Sequence, residues 1–429
     1  MRAKEERMTG DKVKIGIVGI GNMGVQHVKH VIDLPNTELV AVCDRSVERI
    51  EAAFAPDDPP ATSATDDDSA GAAEESDAPL APAVEETAVD VEQEAEDPDY
   101  AQILADTAQF TDYLEMLDAV ELDGVIIATP HYDHPDMAIE AFERGIHVLV
   151  EKPIAVHVME AQRMIDGYRA AKVGQPDLVF AAMFMQRTWG YWRQIKSMID
   201  RGELGQLIRC TWLITDWFRT QSYYDSGGWR ATWRGEGGGV LMNQCPHNLD
   251  LYQWIVGMPA RAQGFVSFGK HHRIEVEDEV TAYFEHENGL VGHFITTTGE
   301  SPGTNRLEIA GENGKLVYAD DELWFYRNEW SSIKQIREAE SGFAAVPYSR
   351  EAIAYTPKTS HGHELIIENF AEAILNGADL IAPAEEGLNS VAINNAIILS
   401  AQKRQMVELP HDGAEFAALL DQYISYPPA

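Results

Sequence analysis

The chain has 429 residues with 45% apolar content, room for two or three domains of roughly 150 residues with ordinary buried cores. With 70 acids against 33 bases the net charge is −37, which argues against nucleic acid or an anionic membrane as partner and reads as the solvated surface of a protein from a high-salt cytoplasm. Three scattered cysteines do not make a disulfide framework or a zinc site, residues 1–11 lack the apolar core of a signal peptide, and no run reaches the ~18 apolar residues of a membrane span, so a soluble cytoplasmic protein is expected.

Residues 14–20, KIGIVGI, have a buried-strand pattern and run into Gly19-Ile20-Gly21-Asn22-Met23-Gly24, followed by an amphipathic stretch to residue 32. This is G-x-G-x-x-G between strand and helix. Gly19 permits the turn, Gly21 lets backbone approach a pyrophosphate, and Gly24 lets helix and strand pack closely. The next strand, 39–43, ends at Asp44, twenty residues on. A carboxylate there accepts both adenosine-ribose hydroxyls and favours NAD, while Arg45 beside it offers a site for the 2′-phosphate of NADP.

From about 52 to 99 the composition shifts to Ala, Asp, Glu, Pro, Ser and Thr with no Lys or Arg. Such a segment buries too little surface to offset its ordering entropy and is expected to be a disordered insertion. Residues 124–155 then read as strand, helix, strand, a βαβ unit. Thr129-Pro130-His131 follows one strand and Glu151-Lys152-Pro153 the next, so both face the crevice at the carboxyl ends of a parallel sheet. Pro153 stops the strand and holds Lys152 at the rim.

Helix is expected at 159–172, strand at 178–183 and helix at 191–200. Strands follow at 207–215, 262–268, 278–285, 290–297, 304–311, 314–319 and 323–326, several joined by Asn-Gly turns, which implies one open antiparallel sheet. Helices at 364–376 and 387–406 return to pack. Within this half, residues 237–250, GGGVLMNQCPHNLD, place Pro246 at a first helical position, His247 in the first turn and Asp250 one turn on. The helix dipole lowers the proton affinity of such a histidine, which suits a base. Residues 216–230 crowd aromatics with hydrogen-bond donors, as a carbohydrate site or an aromatic packing contact would. Gln186 and Arg187 are further candidates for a ligand contact.

GIGNMG, ATPHYDH, EKP, RGELGQL, GGGVLMNQCPHNLDL and a terminal helix pair ending in VELP together resemble the Gfo/Idh/MocA oxidoreductase family. The resemblance implies an α/β fold: a Rossmann domain, 12–152, with a doubly wound parallel sheet, then an α+β domain, 153–429, with a large open, mainly antiparallel sheet. Residues 1–11 are an extension, and the terminal segment is expected to pack back on the first domain. It also implies NAD, with NADP as the other choice, and hydride exchange with a sugar, glycoside or cyclitol. A homodimer or homotetramer through the open sheet follows from the same likeness. Lys152 matches the family's active-site lysine and His247 its catalytic histidine, whereas Asn243 stands where many members carry aspartate.

The candidate cofactor contacts are Gly19, Ile20, Gly21, Asn22, Met23, Gly24, Asp44, Arg45, Thr129, Pro130, His134, Glu151 and Lys152. The candidate substrate contacts are Lys152, Tyr223, Trp229, Arg230, Asn243 and His247. A keto-sugar reductase using NADPH and a nucleotide-bound regulator without turnover are the alternatives.

Overall fold

A computed structural model describes residues 12–53, 99–358 and 361–428. The extension at 1–11 and nearly all of the acidic insertion lie outside the described residues. Six parallel strands make the first sheet: β1 (Val13–Val18), β2 (Thr37–Cys43), β3 (Ala108–Phe110), β4 (Gly124–Ile127), β5 (His147–Val150) and β6 (Phe180–Ala182). Their order is β3-β2-β1-β4-β5-β6, so the winding reverses between β1 and β4. The strands are apolar throughout because both faces are covered, with Ile15, Ile17, Val125 and Leu149 fully buried. At the reversal, a crevice opens beyond the carboxyl ends of β1 and β4. The division expected at Lys152 is crossed by this sheet: the helix Val158–Gly174 carries the chain over to β6, which adds beside β5.

The second sheet has nine strands: β7 (Leu207–Ile214), β8 (Arg261–Phe268), β9 (Glu277–Glu285), β10 (Val291–Thr297), β11 (Asn305–Gly311), β12 (Gly314–Ala319), β13 (Glu322–Asn328), β14 (Tyr348–Ala352) and β15 (Val407–Glu408). Their order is β14-β13-β12-β11-β7-β10-β9-β8-β15. β7 and β10 run parallel; the other described pairings in this sheet are antiparallel. Seven of the nine strands are those expected from the sequence; β14, mostly exposed, and the two-residue β15 carry no apolar alternation to announce them.

Helices cover one face of this sheet. Trp192 of the helix Gly190–Asp200 meets Trp212 of β7 at 5.0 Å between ring centres, and Tyr252 of Pro246–Val256 meets Phe284 of β9 at 5.0 Å. The helix Gly387–Lys403 crosses β8 so closely that a Cβ on Gly264 would lie 2.3 Å from the Ile397 carbonyl oxygen. The helix Gly362–Asn376 does return to the first sheet. Phe370 presses on Gly124, and Asn36 Nδ2 donates to Glu372 Oε1 at 3.0 Å. A last helix, Gly413–Ser425, missed in the sequence, sets Tyr423 against Trp233.

Candidate active site

The glycine turn is fixed by close approach. Gly19 has φ +90°, and a Cβ there would stand 2.5 Å from the Ala128 carbonyl oxygen; a Cβ on Gly24 would stand 1.9 Å from the Gly19 oxygen. Gly21 has nothing within 4 Å of its Cβ position, so its face is open to a ligand. It also caps the helix Asn22–Asp33 with no side-chain hydrogen bond, and no acid stands in the first turn. The first-turn N–H groups are therefore available to a diphosphate, as an NAD site requires.

Asp44 holds this turn as well as facing the cleft. Its Oδ2 accepts the Ile20 N–H at 2.8 Å and its Oδ1 the Ser46 N–H at 2.9 Å. An ionised carboxylate has about four acceptor positions, so both oxygens keep capacity for ribose hydroxyls. Arg45 lies beside it, 80% exposed at the side chain and 3.5 Å from Asp133.

One cleft of ≈ 820 Å³ joins this cradle to the second domain. Of the expected cofactor residues, Gly19 to Met23, Asp44, Arg45, Thr129, Pro130, Glu151 and Lys152 line it; Gly24 and His134 do not. His134 is a buried brace, with Nε2 2.8 Å from the Thr129 carbonyl and Nδ1 3.0 Å from that of Pro153, tying together the loops after β4 and β5. Glu151 is turned back from the cleft: its Oε1 lies 2.7 Å from His27 Nε2, and its Oε2 accepts the Lys152 N–H at 3.0 Å. Burial pushes this carboxyl up, but the His27 hydrogen bond wins and holds it below the usual range. His27 stands on the helix behind the glycine turn, so the lysine and the dinucleotide cradle are mechanically linked.

At the far end, Lys152 Nζ donates to the Asn243 carbonyl at 3.4 Å, and Tyr223, Trp229, Arg230 and Asn243 complete the wall. Tyr223 Oη accepts from Arg230 Nη1 at 2.9 Å and donates to Asn243 Oδ1 at 3.3 Å. Gln244 Nε2 donates to Asn243 Oδ1 at 3.0 Å, and Asn243 Nδ2 donates to Glu236, which is buried and also receives the Ala231 N–H at 2.6 Å. The amide oxygen thus carries two hydrogen bonds, leaving one N–H for a ligand. Behind it, Glu277 accepts the N–H groups of Gly239 at 2.9 Å and Leu241 at 3.1 Å, pinning the glycine run. Burial pushes its carboxyl up to about 7 against the pull of its backbone N–H bonds.

Asn243→Asp would turn the donor facing Glu236 into a second carboxylate. One of the two must then hold a proton, and its folded pKa rises above the ordinary carboxylate value of ~4. The stability of the variant is accordingly retained below that range and lost as pH rises through the raised pKa. Thermal melts at pH 5 and pH 8 read this as a larger deficit at pH 8; an equal deficit at both would refute it.

His247 is deeply buried. It does open the helix after Pro246, but it is 1% exposed, stands edge-on to Phe184 with ring centres 6.1 Å apart, and does not line the cleft. Gln186 and Arg187 are buried and do not line the cleft. Arg187 is 1% exposed and held by Asp250 through two bonds of 2.6 and 2.7 Å and by Glu386 at 2.6 Å, because a buried guanidinium needs carboxylate partners. Asp250 is thereby committed to the core and does not serve His247.

Residues 13–174 match the description "Oxidoreductase family, NAD-binding Rossmann fold", and residues 196–409 match "Oxidoreductase family, C-terminal alpha/beta domain", the two parts of the Gfo/Idh/MocA pattern. The chain belongs to the Gfo/Idh/MocA oxidoreductase family. Its first half is therefore an NAD-binding domain. It is 28% identical over 339 residues to levoglucosan dehydrogenase of Pseudarthrobacter phenanthrenivorans, covering 71% of this chain and 84% of that one. To scyllo-inositol 2-dehydrogenase (NAD(+)) of Bacillus subtilis it is 22% identical over 384 residues, 85% and 87% of the two chains. Among solved structures, the WlbA dehydrogenase of Bordetella pertussis in complex with NADH and UDP-GlcNAcA shares the fold, with a TM-score of 0.68 at 23% identity over 94% of this chain and 100% of that one.

The cleft of this Gfo/Idh/MocA member is also lined by residues outside the cofactor and substrate contacts named above. His131 lines it, with Nδ1 donating to the Glu236 carbonyl at 3.1 Å; burial pushes its pKa down to about 3, which leaves the imidazole neutral. Arg219 and Arg49 also line it. Arg219 lies in the aromatic segment already noted; Arg49, one turn into the helix after Asp44, has no signal of its own. Among the described residues no helix is long and apolar enough to cross a membrane, and no group of His, Cys, Asp and Glu is arranged to hold a metal.

Proposed function

We propose that the protein is an NAD-dependent dehydrogenase acting on a secondary alcohol of a sugar, glycoside or cyclitol. The observation carrying this reading is that one cleft joins an open dinucleotide cradle to Lys152 and a polar, aromatic wall from the second domain. The names of the two curated relatives, one a levoglucosan and one an inositol dehydrogenase, support it. Nicotinamide, when bound, supplies the hydride acceptor or donor. Lys152, on the wall, hydrogen-bonds the carbinol oxygen and, as an ammonium, stabilises its developing charge; the hydroxyl proton leaves to a base, either this lysine in its neutral form or His247. Trp229 offers a ring face to the C–H surface of the substrate, and Tyr223 presents its hydroxyl beside Asn243.

The test is reduction of NAD by a panel of polyols and glycosides, at low and at molar KCl because the charge of −37 fits a high-salt cytoplasm. No turnover with NAD bound would favour a regulator. Rate against pH for His247→Ala then separates its roles: loss of a titrating limb makes it the proton acceptor, and an unchanged profile makes it a packing residue. The reading also includes a homodimer or homotetramer through the outer face of the nine-stranded sheet, where Leu213, Ile295, Thr281 and Phe265 form one cross-strand row and Phe265 is 65% exposed. Light scattering that found a monomer would overturn this.

A further inference from the structure

The substrate end of the cleft carries positive charge in a strongly acidic protein. Lys152, Arg219 and Arg230 all line it. They are tied to one place by contacts: Lys152 Nζ to the Asn243 carbonyl, Asn243 Oδ1 to the Tyr223 hydroxyl, and both guanidiniums over the Tyr223 ring, Arg219 at 5.2 Å and Arg230 at 4.7 Å from its centre. Arg219 also lies 5.6 Å from the Trp217 ring, and Arg230 lies 4.8 Å from that of Trp229.

The acids of the same cleft are elsewhere or occupied. Asp44, Asp112 and Asp133 belong to the adenosine end, where Asp133 meets Arg45, and Glu151 is turned back onto His27 and the Lys152 N–H. Arg219 makes no ion pair among the described residues; its Nη1 donates to its neighbour's carbonyl, Phe218 O, at 3.0 Å. Asp216, close enough to feel its charge, is half-buried and absent from the lining.

A guanidinium lying over an aromatic ring is held by its face, while its N–H donors point outward in the plane, a fork that matches an oxyanion. A neutral polyol needs no such group. With a net charge of −37 the long-range field repels anions, so recognition of one has to be local, within a Debye length of ~8 Å at physiological salt.

We propose that the substrate is an anionic polyol, a sugar or cyclitol bearing a carboxylate or phosphate, whose charged group is received by Arg219 with Arg230 beside it while its carbinol faces Lys152. This rests on the dehydrogenase reading for the position of the carbinol, and it adds the chemical class of the substrate. Arg219 sets specificity; Lys152 does the chemistry.

The experiment is calorimetric binding to the full-length protein in complex with NADH, using matched sets: glucose, glucuronate and glucose 6-phosphate, then myo-inositol and an inositol monophosphate. One class of anion is expected to bind at least about tenfold more tightly than its neutral partner, and which class wins separates carboxylate from phosphate. Arg219→Gln is expected to erase that preference, Arg219→Lys to keep part of it, and NADH affinity to stay unchanged in both, which shows that the variants fold. Neutral partners binding as tightly as the anions, no member of the sets binding, or a preference surviving in Arg219→Gln would each overturn the proposal. Turnover measured in parallel keeps the two readings apart. Oxidation of neutral polyols with no anion preference sinks this inference alone, and an anion preference without oxidation of any compound sinks the dehydrogenase alone.

Discussion

Lys152→Met lowers turnover by about 10² or more, the range for a positioned acid–base group or charge stabiliser, while NAD affinity changes little. The side chain keeps its length and loses its charge, so the carbinol oxygen loses its donor on the cleft wall. The dinucleotide contacts at the glycine turn and Asp44 are untouched, since Glu151 contacts His27 through its own carboxylate and receives a backbone N–H that methionine retains. Steady-state rates beside a fluorescence titration of NADH make the check. Full activity would remove Lys152 from the mechanism; loss of both rate and affinity would make it a structural residue.

Gly24→Ala is the variant expected to damage the fold most. The new Cβ would stand 1.9 Å from the Gly19 carbonyl oxygen, and Gly19 has little freedom to yield because its own Cβ position is 2.5 Å from the Ala128 oxygen. Overpacking of this kind costs about 1–3 kcal/mol or more, so a melting temperature lower by about 5 °C is expected at 2–4 °C per kcal/mol. NAD affinity should fall about tenfold or more as the helix is pushed off the turn. Gly21→Ala is the control: nothing lies within 4 Å of that Cβ, so it should melt normally and lose affinity alone. Equal melting of the two variants would refute the distinction.

What was legible in the sequence was what local backbone chemistry dictates. Gly24 is needed because of the Gly19 oxygen one turn of chain away, Gly19 because the turn itself holds its φ at +90°, and Lys152 is announced by the proline that stops its strand. Strands β7 to β13 show in turn pairs and alternation. The remainder depends on contacts distant in sequence. Arg187 looked like a ligand contact until its partner proved to be Asp250, 63 residues on. Glu277 reads as one more strand acid, yet it pins a glycine run 38 residues earlier. Arg219 is visible as a charge among aromatics, but only the tertiary structure shows which acids are absent around it. His247 was placed correctly at a helix start; its burial beside Phe184 has no local signature.

The return of the helix Gly362–Asn376 to the first sheet bears on how the chain is made. Phe370 covers Gly124, and Glu372 reaches Asn36, so the NAD-binding half finishes its packing with a segment translated last but two among the described α-helices. At roughly 5–20 residues per second the ribosome leaves about 10 s or more between the emergence of β6 and of that helix. During that interval the half-formed sheet exposes an apolar strip and cannot complete its core, so it waits unfinished for its own C-terminus. A fragment stopped short of residue 362 carries every glycine of the nucleotide turn and still lacks the helix that closes the sheet beneath it.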